Sequence, residues 1–133
     1  MKLHEIEGIG PAYAAKLEAG GVQHVAHLLE RGGTKKGRQE IAAQAGVSES
    51  LVLRWVNHAD LMRIDGIGPE YSELLEVAGV DSVPELAQRN AANLAAALEK
   101  ANEAKNLVRR VPTEASVTKW IAEAKSLPRA VHH

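Results

Sequence analysis

Ile6-Glu7-Gly8-Ile9-Gly10-Pro11-Ala12-Tyr13 returns 58 positions later as Ile64-Asp65-Gly66-Ile67-Gly68-Pro69-Glu70-Tyr71. The correspondence runs on through Leu17/Leu75, Glu18/Glu76, Gly21/Gly79, Val22/Val80, Val25/Val83 and Leu28/Leu86, so the repeated object is a fold unit rather than a short accident. Each copy has hydrophobic residues at matched places before the glycines (Leu3 and Ile6; Leu61 and Ile64) and a small residue four positions after the second glycine (Ala14; Ser72). Two glycines allow a tight turn without a Cβ clash, and Gly-Pro then opens a helix, with glycine as N-cap and proline at the first helical position. The N–H groups of such a loop point outward from a helix N-terminus, where an anion can sit.

This pattern resembles the helix-hairpin-helix motif, in which the anion is usually a nucleic-acid phosphate. The resemblance implies backbone donors at Gly8, Ile9 and Gly10 in the first copy, with Lys16 on the helix that follows, and at Gly66 and Gly68 in the second. The copies differ in charge. Ala12 and Tyr13 fill the first turn after Pro11, whereas Glu70 stands there in the second copy, followed by Glu73 and Glu76 and preceded by Asp65. A carboxylate at a helix N-terminus takes the electrostatic niche a phosphate would want, so the first hairpin is the better candidate.

Composition narrows the rest. The 133 residues contain no Cys and no Phe, which excludes a disulfide frame, a thiolate metal site and a Cys nucleophile, and leaves a core of Leu, Val, Ile and Ala. Such a core suits closely packed small helices. The start, Met1-Lys2-Leu3-His4-Glu5, carries charges where a signal peptide needs an apolar run, and no stretch approaches membrane-spanning length; a cytoplasmic protein with no membrane partner is the expectation. Net charge is −1, without the overall basic footprint of a nucleic-acid binder. It is unevenly spread: residues 1–60 carry seven basic and seven acidic side chains, 61–97 two and six, and 98–133 seven and four.

Gly and Pro punctuate segments whose apolar residues recur at three- and four-residue spacing, which predicts short amphipathic helices throughout and no strand. Ser82 and Glu85 stand at capping-box spacing, with Pro84 in the first turn. A helix is predicted from about Thr34 to Ala45 and another after Ser48; their second-copy counterparts are a helix from about Ala92 to Lys105 and one bearing Val117, Trp120 and Ile121. Leu51–Val56 and Ser116–Ile121 align at an offset of 65, seven more than the hairpins, so the extra residues belong in the Ala-rich helix or the Lys105–Pro112 connection. Trp55 and Trp120 are then equivalent core anchors, a reading favoured over an exposed base-stacking role because both sit within apolar helical faces. The predicted fold is all-α: tandem pseudo-symmetric helix-hairpin-helix units with additional packing helices, divided at 1–60 and 61–133.

The whole chain resembles a family of bacterial proteins known only as a domain of unknown function, built from two helix-hairpin-helix units. The residues that carry this are both Gly-Ile-Gly-Pro-x-Tyr turns, Arg54-Trp55-Val56-Asn57-His58-Ala59-Asp60-Leu61, Glu85-Leu86-Ala87-Gln88-Arg89-Asn90 and Leu107-Val108-Arg109-Arg110-Val111-Pro112. It implies a fold and no activity.

Further candidates come from local patterns. Arg31-Gly32-Gly33-Thr34-Lys35-Lys36-Gly37-Arg38 is the densest basic segment; it lacks the Gly-x-x-x-x-Gly-Lys-Ser/Thr order and reads either as a solvated loop at a helix start or as a phosphate patch through Lys35, Lys36 and Arg38. Ile41–Trp55 has a helix-turn-helix cadence whose second helix offers only Ser50, Arg54 and Asn57 to bases. His24 and His27 have the i, i+3 spacing of a metal pair without a third ligand, and sit where the second copy has its capping pair; His132 and His133 read either as a disordered end or as residues left by cloning. No catalytic constellation, metal site or cofactor is expected. The functional expectation is a non-enzymatic module that binds DNA or RNA backbone without sequence specificity, through the hairpins and the basic residues Lys35, Lys36, Arg38, Arg109 and Arg110. The alternative is a protein-interaction or scaffold domain, in which the acidic face of residues 65–85 docks a basic partner.

Overall fold

The computed structural model describes residues 1–133 and is all-helical. A 3-10 turn (Leu3–Glu5) precedes α1 (Pro11–Ala19), α2 (Val25–Gly32), α3 (Lys35–Ala45), α4 (Glu49–Leu61), α5 (Pro69–Val77), α6 (Val83–Ala87), α7 (Ala91–Lys105) and α8 (Glu114–Ser126). The chain divides into two compact units, residues 1–60 with 130–133, and residues 61–129.

Local chemistry sets the helix ends. Gly10 and Gly68 are the N-caps of α1 and α5, with proline next, and Thr34, Asn90 and Thr113 cap α3, α7 and α8 through side-chain oxygens. Both α1 and α5 are closed in the same way: the Val22 and Val80 N–H groups reach back to the Leu17 and Leu75 carbonyls at 2.9 and 2.8 Å, over left-handed Gly21 and Gly79 at φ 94° and 95°. Arg31 and Arg89 sit over these two glycines in their respective units.

In the first unit α3 packs against α1 and α2 over a core that includes Leu17, Leu28, Ile41, Val52 and Trp55. In the second, α8 packs against α6 and α7, and α5 against α7, around Leu74, Leu75, Leu94, Leu98, Val117 and Trp120. The longer spacing in the second copy resides in α7, 15 residues against 11 in α3, and in the connection 106–113. Asn102 orders the start of that connection, its Oδ1 accepting from the Leu107 and Val108 N–H groups and its Nδ2 donating to the Val108 carbonyl, at 2.8–3.0 Å.

His132 and His133 do not form the disordered end that the sequence predicts, because the last residues return to the first unit and dock there. The His132 N–H donates to the Gly33 carbonyl at 2.7 Å, Val131 is buried, and Arg38 donates to the Gly32 and His132 carbonyls at 2.9 and 2.8 Å. Glycine is required where the chain passes closest: a Cβ on Gly33 would lie 2.5 Å from the Ala130 carbonyl oxygen, and one on Gly37 would overlap the Arg31 carbonyl oxygen. The Gly-rich basic segment is therefore a seat for the chain's own tail.

Denaturation should register these features separately. Arg38→Met leaves the Gly32 and His132 carbonyls without their charged donor, and should lower unfolding free energy by about 2–3 kcal/mol in a urea titration, whereas exposed Lys35→Ala should change it by less than about 0.5 kcal/mol. Gly8→Ala forces an L-residue to φ 91° and should cost about 1–2 kcal/mol, while Gly10→Ala, at φ −82° with open space around the new methyl, should melt within about 0.5 kcal/mol of the parent.

Candidate functional site

The two Gly-Ile-Gly turns have the same conformation. The Ile9 N–H donates to the Ile6 carbonyl and the Ile67 N–H to the Ile64 carbonyl, each at 3.1 Å, and the glycine at the third turn position has φ 91° in one and 90° in the other. Positive φ at that position is the requirement of a type II turn. Beneath each turn lies a tryptophan: the Nε1 of Trp55 is 3.6 Å from where a Gly8 Cβ would stand, and that of Trp120 is 3.1 Å from the equivalent point on Gly66. A tyrosine completes each set, with Tyr13–Trp55 and Tyr71–Trp120 ring centroids 5.2 and 5.5 Å apart at tilted angles.

The second glycine of each turn behaves differently from the first. Gly10 (φ −82°, ψ −178°) and Gly68 (φ −98°, ψ −169°) are extended, as any residue before proline prefers to be, and a Cβ on either would meet nothing within 4 Å. Neither backbone conformation nor neighbouring atoms call for glycine there.

The sequence-predicted residues separate into groups. Gly8 and Gly10 are exposed at the start of α1, where no acidic residue occupies the first turn, and Lys16 is exposed in the last turn of that helix, its Nζ 5.7 Å from the Tyr13 ring centroid. Ile9 stands apart from its neighbours: its side chain is buried and its N–H is spent inside the turn. Lys35 and Lys36 are exposed at the start of α3; Lys35 borders a cavity of about 270 Å³ with Arg38, Glu49 and His133, and none of its lining residues belongs to the first turn. Arg38 is not available to a phosphate in this conformation. It is 5% exposed, its guanidinium is engaged by the two carbonyls described above, and burial holds its pKa below the ordinary arginine value against the opposing pull of Glu49. Arg109 and Arg110 are exposed on the long connection, and Arg110 shares a groove with Gly66, while Gly68 is half-buried at the start of α5.

Carboxylates crowd the second turn more than the first. Glu70 is exposed in the first turn of α5, and the Asp65 N–H donates to both Glu123 carboxylate oxygens at 3.1 and 3.3 Å.

Two residues come to the turns that their motifs did not announce. Arg54, part of the helix-turn-helix cadence, has its Nη1 3.9 Å from the Gly8 Cβ position; its place beside Trp55, which packs under the same glycine, was the available signal. Tyr71 donates its hydroxyl to the Arg110 carbonyl at 2.9 Å, a long-range bond that no local pattern encodes. Asn57, the third residue of the base-reading alternative, is buried. His24 and His27 are spent on the start of α2: the His24 Nδ1 accepts from the His27 N–H at 3.2 Å and the His27 Nδ1 from the Gln23 N–H at 3.3 Å, the role that the Ser82 hydroxyl fills toward the Glu85 N–H. No group of three or more His, Cys, Asp or Glu residues is placed to hold a metal ion, and no helix is long and apolar enough to cross a membrane.

Neither a curated protein nor a solved structure matches the chain. A family model does match, from residue 7 to residue 127, a span that takes in both glycine turns, both tryptophans and the 106–113 connection. The chain thus belongs to the family described as Domain of unknown function (DUF4332).

Proposed function

We propose that the protein is a non-enzymatic binding module whose two Gly-Ile-Gly-Pro turns act as helix-hairpin-helix elements, contacting nucleic-acid phosphates without reading sequence. The observation that carries this reading is the second glycine of each turn. Gly10 and Gly68 sit at the mouths of α1 and α5 with open space before them and no internal need to lack a side chain. A bare backbone there lets a phosphate approach the N–H groups at a helix start, where the helix dipole favours negative charge. Exposed Lys16 adds a cation on α1 over Tyr13; Lys35, Lys36, Arg109 and Arg110 supply further basic side chains on the surface.

A second reading, a protein-interaction or scaffold domain, is favoured by the acidic character of residues 61–97 and by Val77, which is 43% exposed beside Glu76 on α5. Charge-reversed ligands separate the two: the first reading needs a polyanion and the second a basic protein surface.

Titration of the protein with duplex and single-stranded DNA at rising salt tests the proposal. Binding should weaken with salt on a log–log slope of only a few units, and Lys35→Ala/Lys36→Ala should reduce that slope by about 1 for each phosphate no longer neutralised. Gly10→Ser/Gly68→Ser should weaken binding at least severalfold while the thermal melt is retained. Equal binding by the parent and the glycine variants, or no binding at low salt, would leave the scaffold reading in its place.

A further inference from the structure

The two units share the glycine, tryptophan and tyrosine of each turn, and differ in what surrounds them. In the first unit the Trp55 Nε1 is fully enclosed and without a hydrogen-bond partner, and the helices that follow α2 are joined by the short link between Ala45 and Glu49. In the second unit the corresponding link is the longer 106–113 connection, and it is wrapped back toward the turn by the Tyr71 hydroxyl, which holds the Arg110 carbonyl. A cavity of about 230 Å³ results, with Gly66 and Trp120 at its inner side and Arg110, Pro112 and Ser116 among its walls. Four residues of the longer connection, Arg110 to Thr113, thus line a groove beside the second turn.

The chemistry of the lining narrows what could enter. Arg110 is the one charged residue among the lining residues; the nearby acids Asp65, Glu70, Glu114 and Glu123 are not among them. The Thr113 hydroxyl donates to the Ser116 Oγ at 3.1 Å and accepts the Ser116 N–H, which leaves the Ser116 hydroxyl proton to donate into the cavity. Trp120, Tyr71 and Pro112 line the same cavity. A cationic end beside an aromatic and prolyl wall matches an anion carrying a flat group. The volume falls below the roughly 300–1,000 Å³ of sites for drug-sized ligands, so the fit is to one small unit.

We infer that this cavity binds one unpaired nucleotide of a single strand, its phosphate on Arg110 and Ser116 and its base or sugar against Tyr71 and Pro112. The inference rests on the nucleic-acid reading above and adds to it a preference for single strands, located in the second unit despite the acids of its turn. A base paired in a duplex is held in its stack and cannot enter such a groove, whereas an unpaired base can stack against its rings.

The test uses the full chain, an end-labelled short oligothymidylate, a blunt duplex of the same length, and the Arg110→Ala variant. Arg110 is exposed, and Tyr71 bonds only to its backbone carbonyl, so the substitution leaves that tether in place; a circular-dichroism melt verifies the fold. Fluorescence anisotropy should show Arg110→Ala weakening single-strand binding about tenfold, a change worth about 1.4 kcal/mol, and duplex binding only as much as Arg109→Ala does, the loss of one surface cation. Thymidine 5′-monophosphate at millimolar concentration should displace the single strand from the parent. If the variant binds both nucleic acids like the parent while Lys35→Ala/Lys36→Ala still weakens them, the pocket assignment is overturned and the backbone-binding reading stands. If the parent binds neither nucleic acid, both fall together.

Discussion

Each unit is organised around a glycine held at positive φ with the edge of an indole beneath it. The turn cannot accept a side chain at Gly8 or Gly66 without backbone strain, and at Gly66 a Cβ would also crowd the Trp120 Nε1 at 3.1 Å, whereas at Gly8 the 3.6 Å to the Trp55 Nε1 is ordinary contact. The tyrosine of the same motif meets the indole from the side, so a motif at the start of the unit and a helix near its end are joined through one aromatic contact. Burial of Trp55 and Trp120, the largest side chains in a chain that has no Phe, then fixes where α4 and α8 lie within their own units.

Much of this was legible because the signals are local. Gly-Pro at a helix start, Ser82 with Glu85, and apolar residues at three- and four-residue spacing each depend on neighbours within one turn, and the observed helices begin and end close to where those patterns put them. The internal repeat supplied the one long-range inference that sequence permits, since residues that recur together occupy equivalent positions. It also located the surplus of the second copy, which lies in α7 and the connection after it.

What sequence did not yield depends on pairings across large separations. Arg38 stands in a run of basic residues, and nothing nearby in the chain says that its partner is the carbonyl of His132, 94 positions away. Once that bond is known, the glycines around Arg38 take on a different meaning: Gly33 and Gly37 are bare because other main-chain segments pass against them. The same holds for Tyr71 and Arg110, and for Arg54, whose approach to Gly8 reflects the packing of Trp55 rather than any pattern on α4. A tally of charge along the chain treats Lys35, Lys36 and Arg38 alike, although two of them face water and one is buried.

The docking of residues 130–133 has a consequence for the order in which the molecule can be built during synthesis. The main-chain groups at Gly32 and Gly33 that receive residues 130–133 are made about a hundred residues before Val131 and His132, so the first unit must wait until those residues have been added to acquire its last buried side chain. Residues 61–129 are complete earlier, at the point where residue 129 emerges. The half that is made first is thus the half that is finished last, and for the length of that delay its Arg38 site stays open to water and to other chains.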